Sequence, residues 1–160
     1  MSPANTVINQ KRFGVTQLDF RAGVAELMDS LRPDYFVTLV FNRTTGLHSA
    51  ARRVERFQAM VDRKLLGTRW LLKVSLRTQY IAVAEHQNSN LHFHCVFLVP
   101  HRLTDFPAIA EQAWHRLAPA GNIDIQPYRS DGAAQYSAKL LRPAWSDLIS
   151  ISPNASNPYL

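Results

Sequence analysis

The chain has 160 residues, 46% of them hydrophobic, and a formal net charge of +6. This length suits one domain with a substantial core, and a single cysteine, Cys95, excludes an intramolecular disulfide framework. The basic balance favours a polyanionic partner, nucleic acid before membrane. No signal-peptide pattern opens the chain, and no run approaches the roughly 20 apolar residues of a transmembrane helix. We therefore expect a cytoplasmic protein with no membrane partner.

The first elements are a short helix and an apolar strand. Residues 1–17 are polar and are expected to be loosely ordered. From 18 to 31 the apolar side chains follow helical spacing, and the helix is expected to stop before Pro33. The run 35–41 is rich in β-branched and aromatic residues, which predicts a central strand.

The clearest helix covers residues 48–66, where apolar side chains form one stripe at helical spacing. Three arginines lie almost opposite this stripe, namely Arg52, Arg56 and Arg63. Two interpretations stay open: an ordinary solvated face, or a surface that contacts a phosphate backbone. The three arginines are accordingly candidate DNA-binding residues.

A β-hairpin is predicted in the middle of the chain. The segment 69–77 before it is basic and ambiguous, with a short strand expected around 70–72. Residues 80–86 and 91–99 then read as two strands joined by a polar turn. The second strand is apolar enough to be buried on both faces, apart from two histidines.

The register of this hairpin predicts a metal site. It places Glu85 opposite His92 and Val83 opposite His94, and opposed residues in an antiparallel pair share a face. His92 and His94 also share a face because they are two residues apart. His86 is expected to point to the other face. Since neutral imidazole is the commonest metal ligand, the pattern predicts a site of two histidines and one carboxylate with open coordination positions.

The remaining elements are a helix, a strand and a short helix. Thr104 or Asp105 can cap a helix that ends before Pro119. Residues 122–126 alternate as a half-buried strand does, and 132–141 predicts a short helix. The segment 146–160 is rich in Ser, Asn and Pro and is expected to be a flexible tail.

After the first helix, the order is strand, helix, strand, strand, helix, strand, helix. This is the split βαβ order, which predicts an α+β, ferredoxin-like antiparallel sheet with flanking helices. That fold puts the first and third strands in the centre, and the two most apolar runs occupy those places. We expect one domain over residues 18–145.

The last helix carries Tyr136 and Lys139, which lie three residues apart and so are neighbours on one helix face. Alone, this pair indicates core packing beside a lysine. Beside a histidine–carboxylate metal site, the phenol becomes a candidate nucleophile.

Three ordered motifs resemble those of the HUH endonucleases, specifically the single-tyrosine initiators of rolling-circle replication. Residues 36–41 resemble the first motif. His92-Phe93-His94 resembles the histidine-hydrophobe-histidine motif, and Tyr136-Ser137-Ala138-Lys139 resembles the tyrosine-x-x-lysine motif. No second tyrosine lies three or four residues from Tyr136, and Tyr128 stands in a predicted turn.

The resemblance implies an HUH nuclease fold and a set of roles. His92 and His94 would bind Mg²⁺ or Mn²⁺, with Glu85 as third ligand. Tyr136 would attack the scissile phosphate of single-stranded DNA at an origin or hairpin, giving a 5′-phosphotyrosine link and a free 3′-hydroxyl. Lys139 would help to stabilise the developing charge. A separate helicase is expected, because no Walker-type loop is present, and the setting would be the cytosol of a plasmid or phage host.

Other functions stay open. A non-catalytic nucleic-acid-binding module could use the same scaffold, but it would expose aromatic residues on the central strands. A transposase or relaxase of the HUH type would share the chemistry. A non-haem iron oxygenase also uses two histidines and one carboxylate, but it accounts for neither Tyr136 nor the basic charge.

Overall fold

The computed structural model describes residues 16–100, 105–139 and 149–152. The regular elements in chain order are α1 (Gln17–Ser30), β1 (Tyr35–Val40), α2 (Leu47–Leu66), β2 (Gln79–Glu85), β3 (His92–Leu98), α3 (Phe106–Leu117), β4 (Asn122–Pro127), α4 (Ala133–Ala138) and β5 (Ile149–Ile151). In the described part of the chain, no helix is both long and apolar enough to cross a membrane.

The strands form one antiparallel sheet in the order β4-β1-β3-β2-β5. The two most apolar strands, β1 and β3, lie in the centre, as predicted. This α+β architecture, an antiparallel sheet flanked by helices, confirms the predicted fold class and is compatible with the ferredoxin-like HUH fold.

One face of the sheet is sealed by α2 and α3. Alternation along β3 puts Phe93 and Phe97 on this face. Phe57 of α2 meets Phe97 and Trp114 of α3 edge-on, with ring centroids 5.9 Å apart in both pairs. The apolar stripe predicted for α2 is therefore the surface that it buries.

The opposite face carries His92 and His94 and is covered differently. The ring of Tyr136 on α4 lies against the ring of His94, and α1 packs against α4. Helix α1 begins with a capping box, in which Thr16 and Asp19 satisfy each other's backbone N–H groups. This face keeps polar side chains at its centre.

Two predicted elements differ from the structure. The short strand expected around 70–72 is wrong, because residues 70–76 form two consecutive 3₁₀ turns whose N–H groups bond locally, as from Leu72 to the carbonyl of Arg69. The last helix ends at Ala138 in the described region, whereas its predicted end, Leu141, lies outside the described residues.

Strand β5 was not predicted. It pairs with β2, with Ile81 opposite Ile151, inside the segment expected to be a flexible tail. Ser152 adds two hydrogen bonds to the backbone of Tyr80, one through its side chain. The predicted looseness of residues 1–15 and of 153–160 lies outside the described residues, and the domain boundaries stay predictions.

Candidate active site

The hairpin of β2 and β3 positions the predicted metal ligands. Its register pairs Glu85 with His92 and Val83 with His94, as the sequence predicts. Thr38 of the central strand β1 is paired with His94 on the other side. All of these side chains therefore share the face of the sheet that α4 partly covers.

Both imidazoles approach the same carboxylate oxygen. Glu85 Oε2 lies 3.3 Å from His94 Nε2 and 3.5 Å from His92 Nε2. Glu85 and His94 are buried and His92 is half-buried, so little water screens these contacts. The three predicted ligands converge on one small volume.

The opposite nitrogen of each ring is held in place by a neighbour. His92 Nδ1 lies 3.0 Å from the carbonyl oxygen of Asn90, and His94 Nδ1 lies 3.3 Å from Thr38 Oγ1. A carbonyl only accepts, so Nδ1 of His92 carries a proton. The Nε2 atom that faces Glu85 must then carry a second proton or direct its lone pair at a cation. Such outer contacts are typical of metal-binding histidines.

The charges of the cluster are shifted in a matching direction. Burial alone would raise the pKa of Glu85, but its interactions with His92 and His94 and the nearby charge of Lys139 lower it to about 2. The pKa of His92 is raised, chiefly by its contact with Glu85, while burial opposes that change. The carboxylate is therefore ionised at neutral pH and attracts positive charge.

The residues present fit a divalent cation. Glu85 Oε1 is buried and has no hydrogen-bond partner among the described residues, which is costly for a carboxylate oxygen. Imidazole nitrogen and carboxylate oxygen are both donors that divalent metals accept. A cation at this position would satisfy the free oxygen and use the Nε2 lone pairs.

The prediction that His86 faces away from this cluster is wrong. Strand β2 ends at Glu85, and His86 has a φ of 55°, so the alternation of the strand stops before it. Its ring stacks on the ring of His92, with centroids 5.1 Å apart. The potential ligand atoms of Glu85, His86 and His92 all lie within 4.8 Å of one another.

Helix α4 brings the predicted nucleophile to the same cluster. The ring of Tyr136 meets the ring of His94 at 5.7 Å in an edge-on arrangement. Lys139 Nζ lies 3.4 Å from the centre of the Tyr136 ring. Tyr136 is 53% exposed, which leaves it accessible to a large substrate. The structure thus brings Tyr136 and Lys139 together with Glu85, His92 and His94.

The other nearby tyrosine is engaged elsewhere. The hydroxyl of Tyr128 donates a hydrogen bond to Asp29 of α1. Burial and the adjacent Asp29 carboxylate raise the pKa of Tyr128 well above its usual range. A phenol held in this way is a poor nucleophile compared with the exposed Tyr136.

The predicted DNA-binding arginines lie apart from this cluster. Arg52, Arg56 and Arg63 are exposed on α2, which packs on the Phe97 face of the sheet. The structure therefore does not bring them together with the histidines. Arg56 and Arg63 instead line an open groove with Arg116 of α3. Their role in DNA binding stays a prediction.

Two contributors to the cluster were missed at the sequence level. Asn90 holds His92 through its backbone carbonyl, and His86 joins the cluster through its backbone conformation. Neither property belongs to a side-chain pattern. The only available indication for His86 was its position at the end of a strand, next to a turn.

Comparison with known families agrees with this geometry. Residues 34–142 match the family model for replication-associated protein ORF2/gene II protein, and this span contains every residue of the cluster. The chain is therefore a replication-associated protein. Within that class it belongs to the family of ORF2 and gene II protein, which supports a role in the initiation of replication and the binding of DNA. No curated protein and no solved structure is significantly similar to it.

Proposed function

We propose that this protein is a metal-dependent enzyme that nicks single-stranded DNA and initiates rolling-circle replication through a 5′-phosphotyrosine intermediate. The observation that carries the proposal is the contact between the rings of Tyr136 and His94. It places an accessible phenol beside a histidine–carboxylate cluster in a chain of a replication-associated family.

Glu85, His92 and His94 would hold the metal ion, Mg²⁺ or Mn²⁺. When bound, such an ion polarises a phosphate oxygen and so makes the phosphorus a better electrophile. The protein contributes orientation, because Asn90 and Thr38 fix the two imidazoles. It also contributes the ionised carboxylate that attracts the cation.

Tyr136 would supply the nucleophile. Its phenol oxygen forms a bond to phosphorus while the bond from phosphorus to the 3′ oxygen breaks. The phenol loses its proton and the departing 3′ oxygen ends as a hydroxyl, so the proton count balances. Lys139, whose ammonium lies over the phenol ring, favours the developing negative charge. The free 3′-hydroxyl is then available as a primer.

The proposed DNA partner is single-stranded DNA at an origin or hairpin. Tyr136 is exposed and the face of α4 is open, so a flexible strand can reach the phenol more easily than a rigid duplex can. A separate helicase and a cytoplasmic location are proposed with this function.

The experiment uses a pool of randomised single-stranded oligonucleotides with Mn²⁺. Attack by Tyr136 leaves the 5′ phosphate, and hence the 3′ part of the strand, attached to the protein. A label at the 3′ end should therefore move with the protein on a denaturing gel, and a label at the 5′ end should be released. Sequencing the captured DNA would identify the nick site.

Two tyrosine variants make the assignment specific. Tyr136→Phe removes only the hydroxyl, so it should abolish the adduct and keep DNA and metal binding. Tyr128→Phe is the matched control and should still form the adduct. Attachment of DNA at Tyr128, or an adduct that persists in Tyr136→Phe, would overturn the proposal.

A further inference from the structure

His86 lies at the cluster but has no part in the proposed mechanism. Its ring is stacked on the ring of His92 at 5.1 Å, with 27° between the ring planes. Its nearest ligand atom lies within 4.8 Å of those of Glu85 and His92. His86 is exposed, so it sits on the solvent side of a cluster whose other histidine, His94, is buried.

The backbone of His86 adopts a conformation that few residues accept. A φ of 55° lies in the left-handed region, which is uncommon for residues other than glycine, although asparagine, aspartate and histidine are enriched there. The carbonyl of His86 accepts a hydrogen bond from the N–H of Ser89, which closes the turn. In extended conformation the side chain would point to the aromatic face. The turn instead redirects the imidazole toward Glu85.

Two possible ligand sets therefore share Glu85 and His92. The inner set is completed by the buried His94, and the outer set is completed by the exposed His86. Glu85 Oε1 has no hydrogen-bond partner among the described residues. One carboxylate thus lies among three imidazoles, with an oxygen available for a cation.

The geometry points to His86 as a metal ligand that makes the site bind first-row transition ions in preference to Mg²⁺. This inference rests on the metal site of the proposed function. Mg²⁺ is bound mainly through oxygen and keeps several waters, whereas transition ions accept imidazole nitrogen more readily. Each added imidazole therefore increases the affinity for Mn²⁺ or Zn²⁺ more than the affinity for Mg²⁺.

The test measures Mn²⁺ binding to the full chain by the electron paramagnetic resonance signal of free Mn²⁺, and Mg²⁺ binding by competition. The variant is His86→Gly, because glycine accepts the positive φ and carries no ligand. His86→Asn is a second variant that also tolerates this conformation. His48→Ala, on the exposed surface of α2, is the control for removing a histidine.

The wild-type protein should bind Mn²⁺ more tightly than Mg²⁺. His86→Gly should weaken Mn²⁺ binding by about tenfold or more, a loss typical of changes around a metal site, and should change Mg²⁺ binding by less than about threefold. Spin-echo modulation should show one coordinated nitrogen fewer than in the wild type. Purely structural damage would not produce this selective loss.

The outcomes separate this inference from the proposed function. If His94→Ala abolishes binding while His86→Gly binds both ions like the wild type, the role of His86 is wrong and the predicted site stands. Equal losses for both ions in His86→Gly would also overturn the role of His86 in selectivity. If the wild type binds neither ion, the proposed metal site and the role of His86 fall together.

Discussion

The two faces of the central sheet are built from the same strands but differ in what covers them. On β3, Phe93 and Phe97 point to a face sealed by α2 and α3, while His92 and His94 point to a face that α4 covers only in part. The sealed face is apolar, and the open face holds a buried carboxylate. Alternation along one strand thus divides the residues that stabilise the domain from those available for chemistry. Substitutions on neighbouring positions of β3 should therefore have separate effects.

The largest effect is expected from the ligands on the open face. His94→Ala, His92→Ala and Glu85→Ala should each weaken Mn²⁺ binding by more than about 100-fold, beyond the range of changes in outer contacts. They should also abolish DNA cleavage. Titration calorimetry and the adduct gel measure these losses. His115→Ala, on α3, is the matched control and should bind normally. A His94→Ala variant with normal Mn²⁺ affinity would exclude His94 as a ligand.

On the sealed face the effect should fall on stability. Phe97 is fully buried and its ring contacts those of Phe57, Tyr80 and Phe106. Phe97→Ala should lower the free energy of unfolding by about 3–5 kcal/mol through lost burial and a residual cavity. Urea denaturation measures this change. Variant molecules that remain folded should still bind Mn²⁺, and a selective loss of Mn²⁺ affinity in them would contradict the division between the faces.

Lys139 should have a smaller effect on the open face. Lys139→Ala removes the ammonium from the Tyr136 ring but leaves the phenol in place. The rate of adduct formation should fall by at most about a hundredfold, within the range seen for single electrostatic contributors. Lys139→Arg keeps the charge and should retain most of the rate. Single-turnover kinetics would measure both, and an unchanged rate in Lys139→Ala would remove Lys139 from the mechanism.

The smallest effect is expected from the arginines of α2, which lie on the helix layer of the sealed face. If these residues contact phosphates, replacing Arg52, Arg56 and Arg63 by alanine should lower the log–log slope of DNA affinity against salt by about 0.7 per lost contact. Fluorescence anisotropy at several salt concentrations measures the slope. An unchanged slope and affinity would assign this surface to solvent exposure alone.

The parts that could be predicted from the sequence depend on local periodicity. Glu85, His92 and His94 belong to one hairpin with a short loop, so alternation and loop length together specify the register. The placing of Tyr136 beside His94 needed the split βαβ topology as well. His86 could not be placed, because alternation stops where a strand ends and the positive φ is a property of the turn. Strand β5 has three residues, too few for a periodic pattern, and its partner β2 lies about 70 residues earlier.

Strand β5 also has a consequence for the behaviour of this protein in concentrated solution. Strand β2 has the sequence Gln-Tyr-Ile-Ala-Val-Ala-Glu, an apolar run whose outer backbone groups would otherwise face solvent. An exposed edge of this kind is a template for pairing with a second chain and for fibril growth. By occupying the hydrogen-bonding positions beside Ile81 and Val83, the short last strand protects the hairpin that bears the metal ligands against aggregation.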